Sequence, residues 1–563
     1  MNNLNKYGMG ISMSMKVMKP VILALILGLL FSVIAISVGA QEKDVAGLAK
    51  KTAIQYIDEN QNLTVDIAKS LWDYAEVGLN EYKSIVKVMD VLKEAGFNVE
   101  PSVADIPTAS LATWGSGKPV LGIYEDIDAL PGVGHGCGHN LNTAAGVTAA
   151  IALKEAMEKH GIPGTIKLFI NPAEEIWDVA PLVAAKGYYD DVDVLISFHA
   201  GTENTSEFGS TMAMDHVEYK FKGKAAHASA SPEKGRSALD AVEIMNVAVN
   251  YLREHLIQEM RIHYVITDGG AAPNIVPATA ASRYFIRGPK YPDVAYARQR
   301  IDDCAKGAAL ATGTELEIGF SSGIYNKVPN KALAYLTVDA MKEVGAPVFT
   351  DEDKAQMEKL GIKGVPTSEF KEPEGSQSFG SNPIGDVTWK TPSATLSVAT
   401  WTPGTAGHSA ESAKQSGAVY GFKGAIAASK GLAVLGIELL TNKEALGKVK
   451  AEFQERMKGM PPYEGKAMIP EVAYPEPPGV TITAQGQAKF IAAQTAFKES
   501  AGDKIQVFTM SGEKLAEYVV PSAPEAEYSF NLSQPVEPGQ RLKIAYIGEN
   551  GSFKWFYGYA HVK

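Results

Sequence analysis

Helical and strand-like hydrophobic patterns alternate between about residues 45 and 210. Short apolar runs that end in polar loops predict strands in "KPVLGIYEDIDALPG" (118–132), "TIKLFINPAEE" (165–175) and "DVDVLISFHAG" (191–201). Between the first two, "TAAGVTAAIALKEAMEKHG" (143–161) predicts a helix. Strands that alternate with helices indicate a mostly parallel sheet covered on both faces. In such sheets, ligands bind at the carboxyl ends of the strands.

A second unit, residues 211–322, has a different order of elements. Its patterns predict strand, helix, strand, strand, helix and strand, in "TMAMDHVEYKFKGK", "SALDAVEIMNVAVNYLREHL", "RIHYVITDGG", "AASRYFIRGP", "YPDVAYARQRIDDCAKGAALATG" and "TELEIGFSSG". This is the order of the split βαβ, ferredoxin-like (α+β) arrangement. Because the α/β pattern resumes after about residue 325, we interpret the unit as an insertion into a discontinuous domain, residues 41–210 and 323–460.

The C-terminal part of the chain has a third pattern. Six prolines in "PPYEGKAMIPEVAYPEPPGV" predict a linker over residues 461–479. Beyond it, segments such as "VTITAQG", "DKIQVFTMSG" and "RLKIAYIG" alternate apolar and polar residues with a period of two. Residues 480–563 are therefore expected to form a small β-sandwich-like domain, to which the sequence assigns no role.

Residues 1–40 have the features of an export signal peptide. Lys16 and Lys19 precede the apolar run "VILALILGLLFSVIAI" (21–36), and the small residues of "SVGA" place a cleavage site after Ala40. We therefore expect an exported protein, periplasmic or secreted. The alternative is an uncleaved N-terminal anchor, although the run is slightly shorter than the ~20 residues that a membrane-spanning helix prefers.

The charge balance of the 563-residue chain argues against a nucleic-acid partner. Its formal net charge is −11, whereas proteins that bind nucleic acids normally carry a basic patch. The two cysteines, Cys137 and Cys304, allow at most one disulfide, and nothing in the sequence requires that pair. Since Cys137 lies between His135 and His139 in "GVGHGCGHN", a role as a metal ligand explains it more easily than a redox role.

Side chains that commonly bind metal ions follow three successive predicted strands. They are Glu125, Asp126 and Asp128, with His135, Cys137 and His139 in the loop beyond; Glu174 and Glu175; and His199. A further strand is followed by His408. A single carboxylate of this kind is more often a solvated surface group. Metal-binding side chains at the ends of three successive strands, however, predict a metal site. Thiolate, imidazole and carboxylate ligands together suit zinc or another transition ion better than calcium or magnesium.

The motifs also resemble those of a known family. "DIDALPG", "GHGCGHN", "NPAEE", "SFHAG", "KGKAAHAS", "GRSALDA", "PNIVP" and "GTAGHS" are similar, in sequence and in order, to motifs of the metal-dependent aminoacylase and carboxypeptidase-type amidohydrolases, in the aminobenzoyl-glutamate hydrolase branch. The resemblance covers about residues 45–440. It implies a di-metal α/β/α hydrolase domain with an inserted dimerisation domain, here residues 211–322.

The resemblance implies a role for each matching residue. Two divalent ions per subunit, zinc or manganese with cobalt as a further option, would be held by Cys137, His139, Glu175, His199 and His408. Glu174 would be the general base, and Asp128 would support a ligand histidine. Asp126 and His135 are weaker candidates for the site.

Three residues of the inserted domain match the family as well. His227 resembles the histidine that reaches into the active site of the partner subunit and stabilises the tetrahedral oxyanion. Asn274 and Arg287 resemble the positions that bind the backbone and the free carboxylate of the substrate. A homodimer through residues 211–322 is therefore expected. The loop "GSNPIGDV" departs from the usual "GSTDVGDV" at Asn382 and Pro383, so we expect altered substrate contacts there.

The chemistry agrees with hydrolysis of an amide bond. Two metal ions that flank one water lower its pKa and polarise the carbonyl, and the pair Glu174 and Glu175 supplies one ligand and one free base. We predict an exported metal-dependent amidohydrolase that acts on N-acyl (aminobenzoyl-like) amino acids or short peptides with a free carboxylate. The alternatives are a metal-dependent deacetylase of a small amine and a catalytically inactive peptide-binding relative.

The export signal can be tested by the mass of the mature protein. Cleavage after Ala40 should give a chain that begins at Gln41 when the protein is recovered from its native host. Intact-mass spectrometry makes the measurement. A mature chain that still begins before Val21 would show an anchored protein instead.

Overall fold

The computed structural model describes residues 45–177, 179–465, 477, 479–491, 501–509, 513–521, 527–547 and 553–563. The predicted signal peptide lies outside these residues, as does most of the predicted linker. The largest sheet consists of β1 (Asn98–Pro101), β2 (Ser110–Ser116), β3 (Val120–Asp126), β4 (Gly164–Asn171), β5 (Val194–Gly201), β6 (Thr205–Ser206) and, later in the chain, β11 (Ser393–Ala399).

The strands of this sheet lie in the order β1-β2-β4-β3-β5-β11-β6. Neighbours among β4, β3, β5 and β11 are parallel, whereas β1, β2 and β6 pair antiparallel. Both faces are buried, because successive side chains of β3 enter different hydrophobic clusters. Leu121 and Ile123 belong to one cluster, and Val120 and Tyr124 belong to another. The strands therefore read as continuous apolar runs, as parallel sheets covered on both faces require.

Helices cover the two faces of this sheet. They are α1 (45–59), α2 (Gln61–Tyr74), α3 (Tyr82–Glu94), α4 (His139–His160), α5 (Val179–Ala185), α8 (Lys331–Val344), α9 (Asp351–Lys359), α10 (Ile384–Thr388), α11 (Ala410–Ser416), α12 (Val419–Thr441) and α13 (Lys443–Met457). Among the described residues, α12 is the one helix long and apolar enough to cross a membrane, and most of it is buried. It packs against α4, α8, β5 and β11.

The unit between β6 and α8 has the predicted order of elements. It contains β7 (Ala213–Lys222), α6 (Ala238–Leu252), β8 (Arg261–Asp268), β9 (Thr279–Gly288), α7 (Tyr291–Thr312) and β10 (Glu315–Ile324). Its antiparallel sheet has the order β10-β7-β9-β8, and β8 is an edge strand. Helices α6 and α7 pack against each other and against the sheet around one hydrophobic cluster. This is the split βαβ topology.

Two antiparallel sheets form the C-terminal part. The first has the order β12-β13-β16 and the second β15-β14-β17-β18; the strands are β12 (Val480–Ile482), β13 (Gln487–Ile491), β14 (Lys504–Thr509), β15 (Lys514–Val519), β16 (Glu527–Asn531), β17 (Arg541–Ile547) and β18 (Phe553–His561). Phe490, Val507 and Tyr546 are buried in one hydrophobic cluster, as in a small sandwich. The predicted α/β fold with an additional C-terminal β region is therefore confirmed.

Candidate functional site

Five predicted metal ligands meet at the carboxyl edge of the large sheet. Cys137 lies in the loop between β3 and α4, and His139 is the first residue of α4. Glu175 follows β4, His199 lies near the end of β5, and His408 lies between β11 and α11. Because β3, β4, β5 and β11 are parallel, their ends place residues that are far apart in sequence at one edge.

The five side chains are close enough to share bound ions. The Cys137 Sγ atom lies 3.4 Å from the His199 Nε2 atom, and the His408 Nε2 atom lies 3.6 Å from the Glu175 Oε1 atom. The ligand atoms fall into three groups, each with all its atoms within 4.8 Å of one another: Cys137, His139 and His199; Cys137, Glu175 and His408; His139, Glu174 and Glu175. Cys137, His139 and Glu175 each belong to two groups, so the ligand atoms form one continuous cluster.

The cluster has the properties of a site that a cation completes. Within the described part of the chain, the His139 Nε2 and Glu175 Oε1 atoms are buried without a hydrogen-bond partner, which is costly unless an ion binds them. Burial raises the pKa of the Cys137 thiol to about 11. Burial raises the pKa of Glu174 well above the usual glutamate range. Since a bound divalent cation favours the ionised form of both groups, the residues fit a metal.

Asp128 fixes two of the ligands. Its Oδ1 atom lies 3.2 Å from the Nδ1 atom of His139, and its backbone carbonyl oxygen lies 3.0 Å from the same nitrogen. Its Oδ2 atom accepts a hydrogen bond from the Glu175 backbone N–H at 3.0 Å. These acceptors hold a proton on His139 Nδ1 and leave Nε2 free as a ligand atom. The structure therefore places Asp128 where the predicted supporting residue would act.

Backbone geometry brings the loop of Cys137 against strand β5. Gly138 has φ = +84°, and a Cβ atom added to it would lie 2.5 Å from the Ala200 Cβ atom. Only glycine fits both this conformation and this close approach. The approach places Cys137 beside His199, whose Nδ1 atom is bound to the Ala200 carbonyl at 2.8 Å and whose Nε2 atom faces the sulfur.

Glu174 lies beside the ligands and contacts Asn382. The Asn382 Nδ2 atom donates a hydrogen bond to the Glu174 Oε1 atom at 3.3 Å. The sequence marked Asn382 only as a departure from a motif, so this contact with the predicted general base was missed. A second missed residue is Glu81, whose buried Oε1 atom accepts a hydrogen bond from the Ala173 backbone N–H at 2.9 Å. It holds the loop that carries Glu174, where Ala173 adopts a left-handed φ of +56°.

Asp126 and His135, the two weaker candidates for the site, lie in different surroundings. Asp126 lines a cavity beside the ligands, and burial raises its pKa to about 7. His135 is buried with its Nε2 atom 2.9 Å from the Leu71 carbonyl, and burial lowers its pKa to about 4. His135 belongs to none of the three ligand groups found among the described residues. Its contacts are those of a histidine that positions the loop.

His227 and Asn274 are neighbours on the inserted domain. His227 forms an antiparallel bridge with Ile275, and the Ala228 backbone N–H donates to the Asn274 carbonyl at 3.0 Å. The backbone N–H groups of residues 229 and 230 donate to the His227 Nδ1 atom at 3.3 and 3.1 Å. This arrangement places the proton of the neutral ring on Nε2, which is an exposed hydrogen-bond donor. The hydrogen bonds of His227 in the described structure all stay within its own domain.

A cavity of about 540 Å³ adjoins the ligand cluster. His199, Asp126, Asn382 and Lys327 are among the residues that line it. Arg287 lies at the end of β9, and its Nη1 atom donates to the Phe379 carbonyl at 3.5 Å, in the loop whose residues 378 and 380–382 line the cavity. Lys327 was missed by the sequence reasoning because it lies far from every recognised motif.

The chain is similar to known hydrolases along most of its length. Residues 122–464 match the family model of peptidase family M20/M25/M40. One of the p-aminobenzoyl-glutamate hydrolase subunits of Escherichia coli (strain K12) is 32% identical over 455 residues, which cover 71% of this chain and 93% of that protein. The Xaa-Arg dipeptidase of Mus musculus is 30% identical, covering 59% of this chain and 77% of its own length.

Solved structures agree on the fold. The aminobenzoyl-glutamate utilization protein from Klebsiella pneumoniae aligns with a TM-score of 0.50 at 19% identity, covering 69% of this chain and 98% of that one. The family match covers more than half of the chain and includes all five metal-ligand candidates. The chain therefore belongs to peptidase family M20/M25/M40, and it is a metal-dependent hydrolase of amide bonds.

Proposed function

We propose that this protein is exported and hydrolyses the amide bond of N-acyl amino acids or short peptides that carry a free carboxylate. The observation that carries the proposal is the cluster of five ligand residues with one further carboxylate, Glu174, beside it. The relatives support the substrate class, since one is named for p-aminobenzoyl-glutamate and another for dipeptides. Export rests on the pattern of residues 1–40.

The ligand set would hold two divalent ions, zinc or manganese. Cys137, His139, Glu175, His199 and His408 would hold them. When bound, such ions lower the pKa of water and polarise the amide carbonyl. Sulfur, nitrogen and oxygen ligands together favour these ions over calcium or magnesium.

Glu174 is proposed to carry the proton. It adjoins a ligand residue, and its Oε1 atom accepts a hydrogen bond from Asn382, which orients the carboxylate. From this position it takes a proton from the attacking water and returns it to the nitrogen of the leaving amine. One carboxylate of the pair thus binds metal, while the other remains available for proton transfer.

The inserted domain is proposed to form a homodimer. Its helix α6 exposes Ile244, Val247 and Tyr251, which share one helical face, and Tyr251 is 75% exposed. The neighbouring edge strand β8 exposes Val265 and Ile266. An edge strand beside an apolar helical stripe is a surface that a second copy would cover.

The dimer would bring His227 of one chain into the active site of the other. His227, whose Nε2 proton faces solvent, is proposed to donate to the oxyanion in the partner subunit. Asn274, its neighbour, would bind the substrate backbone, and Arg287 would bind the free carboxylate with its guanidinium. The aminobenzoyl-like acyl half would lie on the other side of the scissile bond.

Glu174→Gln separates proton transfer from metal binding. The substitution keeps all five ligands, so we expect unchanged metal content and a kcat lowered by about 10²–10⁴-fold, as for a lost acid–base group. Glu175→Gln is the matched control, because the same chemical change in the adjacent ligand should lower metal content and activity together. Elemental analysis and kinetics on N-benzoyl amino acids provide both measurements.

Three outcomes would contradict the proposal. Near wild-type turnover by Glu174→Gln would remove Glu174 from the mechanism. Equal hydrolysis of acetylated amines that lack a carboxylate would favour a deacetylase instead. A wild-type protein that binds metal and cleaves no amide would favour the inactive peptide-binding alternative.

The shared site can be tested by mixing two inactive variants. His227→Ala and Glu174→Gln chains should each be nearly inactive, while a mixed dimer regains one site with Glu174 from one chain and His227 from the other. After full subunit exchange, we expect about a quarter of wild-type activity, because half of the dimers are mixed and each has one of two sites intact. No recovery, with exchange shown by native mass spectrometry, would contradict the site in trans.

A further inference from the structure

The loop that carries His227 presents an excess of positive charge. Residues 223–237 form this basic loop, which joins β7 to α6. Three exposed cations of the loop line a cavity of about 580 Å³: Lys224, Lys234 and Arg236. None of the three forms an ion pair with another residue in the described part of the chain. Glu233 is the one carboxylate of the loop, so its net charge is positive.

The backbone of the basic loop fixes these cations in position. The Lys224 N–H donates to the Arg236 carbonyl at 2.8 Å, and the Arg236 N–H donates to the Lys224 carbonyl at 2.9 Å. A Cβ atom added to Gly223 would lie 2.0 Å from the Arg236 carbonyl oxygen, so glycine permits this close approach. The Arg236 guanidinium donates to the Gly235 carbonyl at 2.6 Å. The loop therefore presents its charges from an ordered backbone.

Negative charge is concentrated at the rim of the cavity beside the metal ligands. Two segments, residues 203–210 and 369–378, run side by side there. The Phe208 N–H donates to the Glu374 carbonyl at 3.0 Å, and the Ser378 N–H donates to the Ser210 carbonyl at 2.8 Å. We call these two segments the acidic ridge, because they contain five glutamates: Glu203, Glu207, Glu369, Glu372 and Glu374.

Two glutamates of the acidic ridge are neutralised within the chain. Glu203 pairs with Lys371, and Glu372 pairs with Lys342 at 2.5 Å. The other three are exposed and form no ion pair with any described residue: Glu207, Glu369 and Glu374. The basic loop and the acidic ridge therefore each present three charges that no ion pair within the described structure satisfies, and these charges have opposite signs.

A homodimer with His227 in trans would bring the two surfaces together. His227 belongs to the basic loop, whereas Glu203 and Glu207 of the acidic ridge line the cavity beside the metal ligands. A loop that delivers His227 to the metal site of another chain would pass the carboxylates at the rim of that cavity. In a two-fold dimer the contact forms twice, since each chain contributes one basic loop and one acidic ridge.

We propose that the basic loop of one chain docks on the acidic ridge of its partner, and that this contact guides His227 into the partner's metal site. The inference rests on the homodimer of the proposed function and adds a second contact surface, separate from α6 and β8. Complementary charges at an interface fix the register of docking and disfavour wrong partners. Exposed ion pairs are weak, so the contact orients chains that α6 and β8 already hold together.

Carbodiimide cross-linking tests the contact without a measurement of activity. The reagent joins a lysine amine to a carboxylate, with loss of water, where the two groups touch. Wild-type chains labelled with ¹⁴N and ¹⁵N are mixed, and the linked peptides are identified by mass spectrometry. We expect links from Lys224 or Lys234 to Glu207, Glu369 or Glu374. After full subunit exchange, about half of these links should join a light peptide to a heavy one.

Two results of the cross-linking would overturn the proposal. One is the absence of links between the basic loop and the acidic ridge in protein that native mass spectrometry shows to be dimeric. The other is a set of links in which both peptides always carry the same label, because such links form within one chain.

Charge reversal gives a second measurement, on the hydrolysis of N-benzoyl-L-alanine. Lys224→Glu with Lys234→Glu should lower kcat/KM by about 10-fold, because like charges then face each other. Glu207→Lys with Glu374→Lys should cause a similar loss. Combining all four substitutions should restore most of the activity, since the pairs form again with their signs exchanged.

The matched control reverses two exposed lysines on another element. Lys443→Glu with Lys448→Glu makes the same change in net charge on α13, outside the basic loop, the acidic ridge and the cavity lining, and should keep wild-type activity. A folded four-fold variant that is no more active than either pair alone would overturn the docking contact. If the four-fold variant fails to fold, the cross-links of the wild type decide.

Failure of the proposed function gives a different result. If the wild type forms mixed-label links but cleaves no N-benzoyl amino acid in the presence of Zn²⁺ or Mn²⁺, the amidohydrolase proposal is wrong and the docking contact stands. If it cleaves these substrates and forms no mixed-label links, only the docking contact is wrong. A monomer in native mass spectrometry would contradict both the homodimer and the docking contact.

Discussion

The structure depends on the placing of several ionisable side chains in one buried cluster that a cation must complete. A thiol, histidines and carboxylates meet within a few ångströms, and burial, together with the neighbouring carboxylates, raises the pKa of the Cys137 thiol and of Glu174. Buried polar atoms without hydrogen-bond partners destabilise the folded state. A cation that binds to them offsets this loss of stability. The sheet, its loops and their supporting contacts can be understood as the means of holding these groups together.

Residues that contact the ligand residues or their loops hold the ligands in position. Asp128 binds both the ring of His139 and the backbone of Glu175, and therefore ties the loop after β3 to the loop after β4. Glu81 ties the second loop to the start of α3, and Gly138 lets the first loop press against β5. Replacing any of these three would move a ligand without removing it, which is how supporting residues tune a metal site.

Much of this could be predicted from the sequence, because apolar runs followed by polar loops locate the ends of parallel strands. That rule placed Cys137, His139, Glu175 and His199 among a larger set of predicted neighbours, although they are spread over more than sixty residues, and the family resemblance singled them out as ligands. Glu81 could not be found this way, since an acidic residue before an amphipathic helix normally lies on the surface. Lys327 could not be found either, because its partners Ser210 and Thr211 meet it only through the closure of the inserted domain.

In the proposed mechanism, metal ions held by this cluster are required for hydrolysis. The most direct measurement is a titration of the metal-free protein with Zn²⁺ or Mn²⁺, in which bound metal and hydrolysis of an N-benzoyl amino acid are recorded together. We expect activity to be absent at the start and to rise as about two ions bind per chain. Full activity in protein that holds no metal, or unchanged binding after replacement of both Cys137 and His139 by alanine, would contradict it.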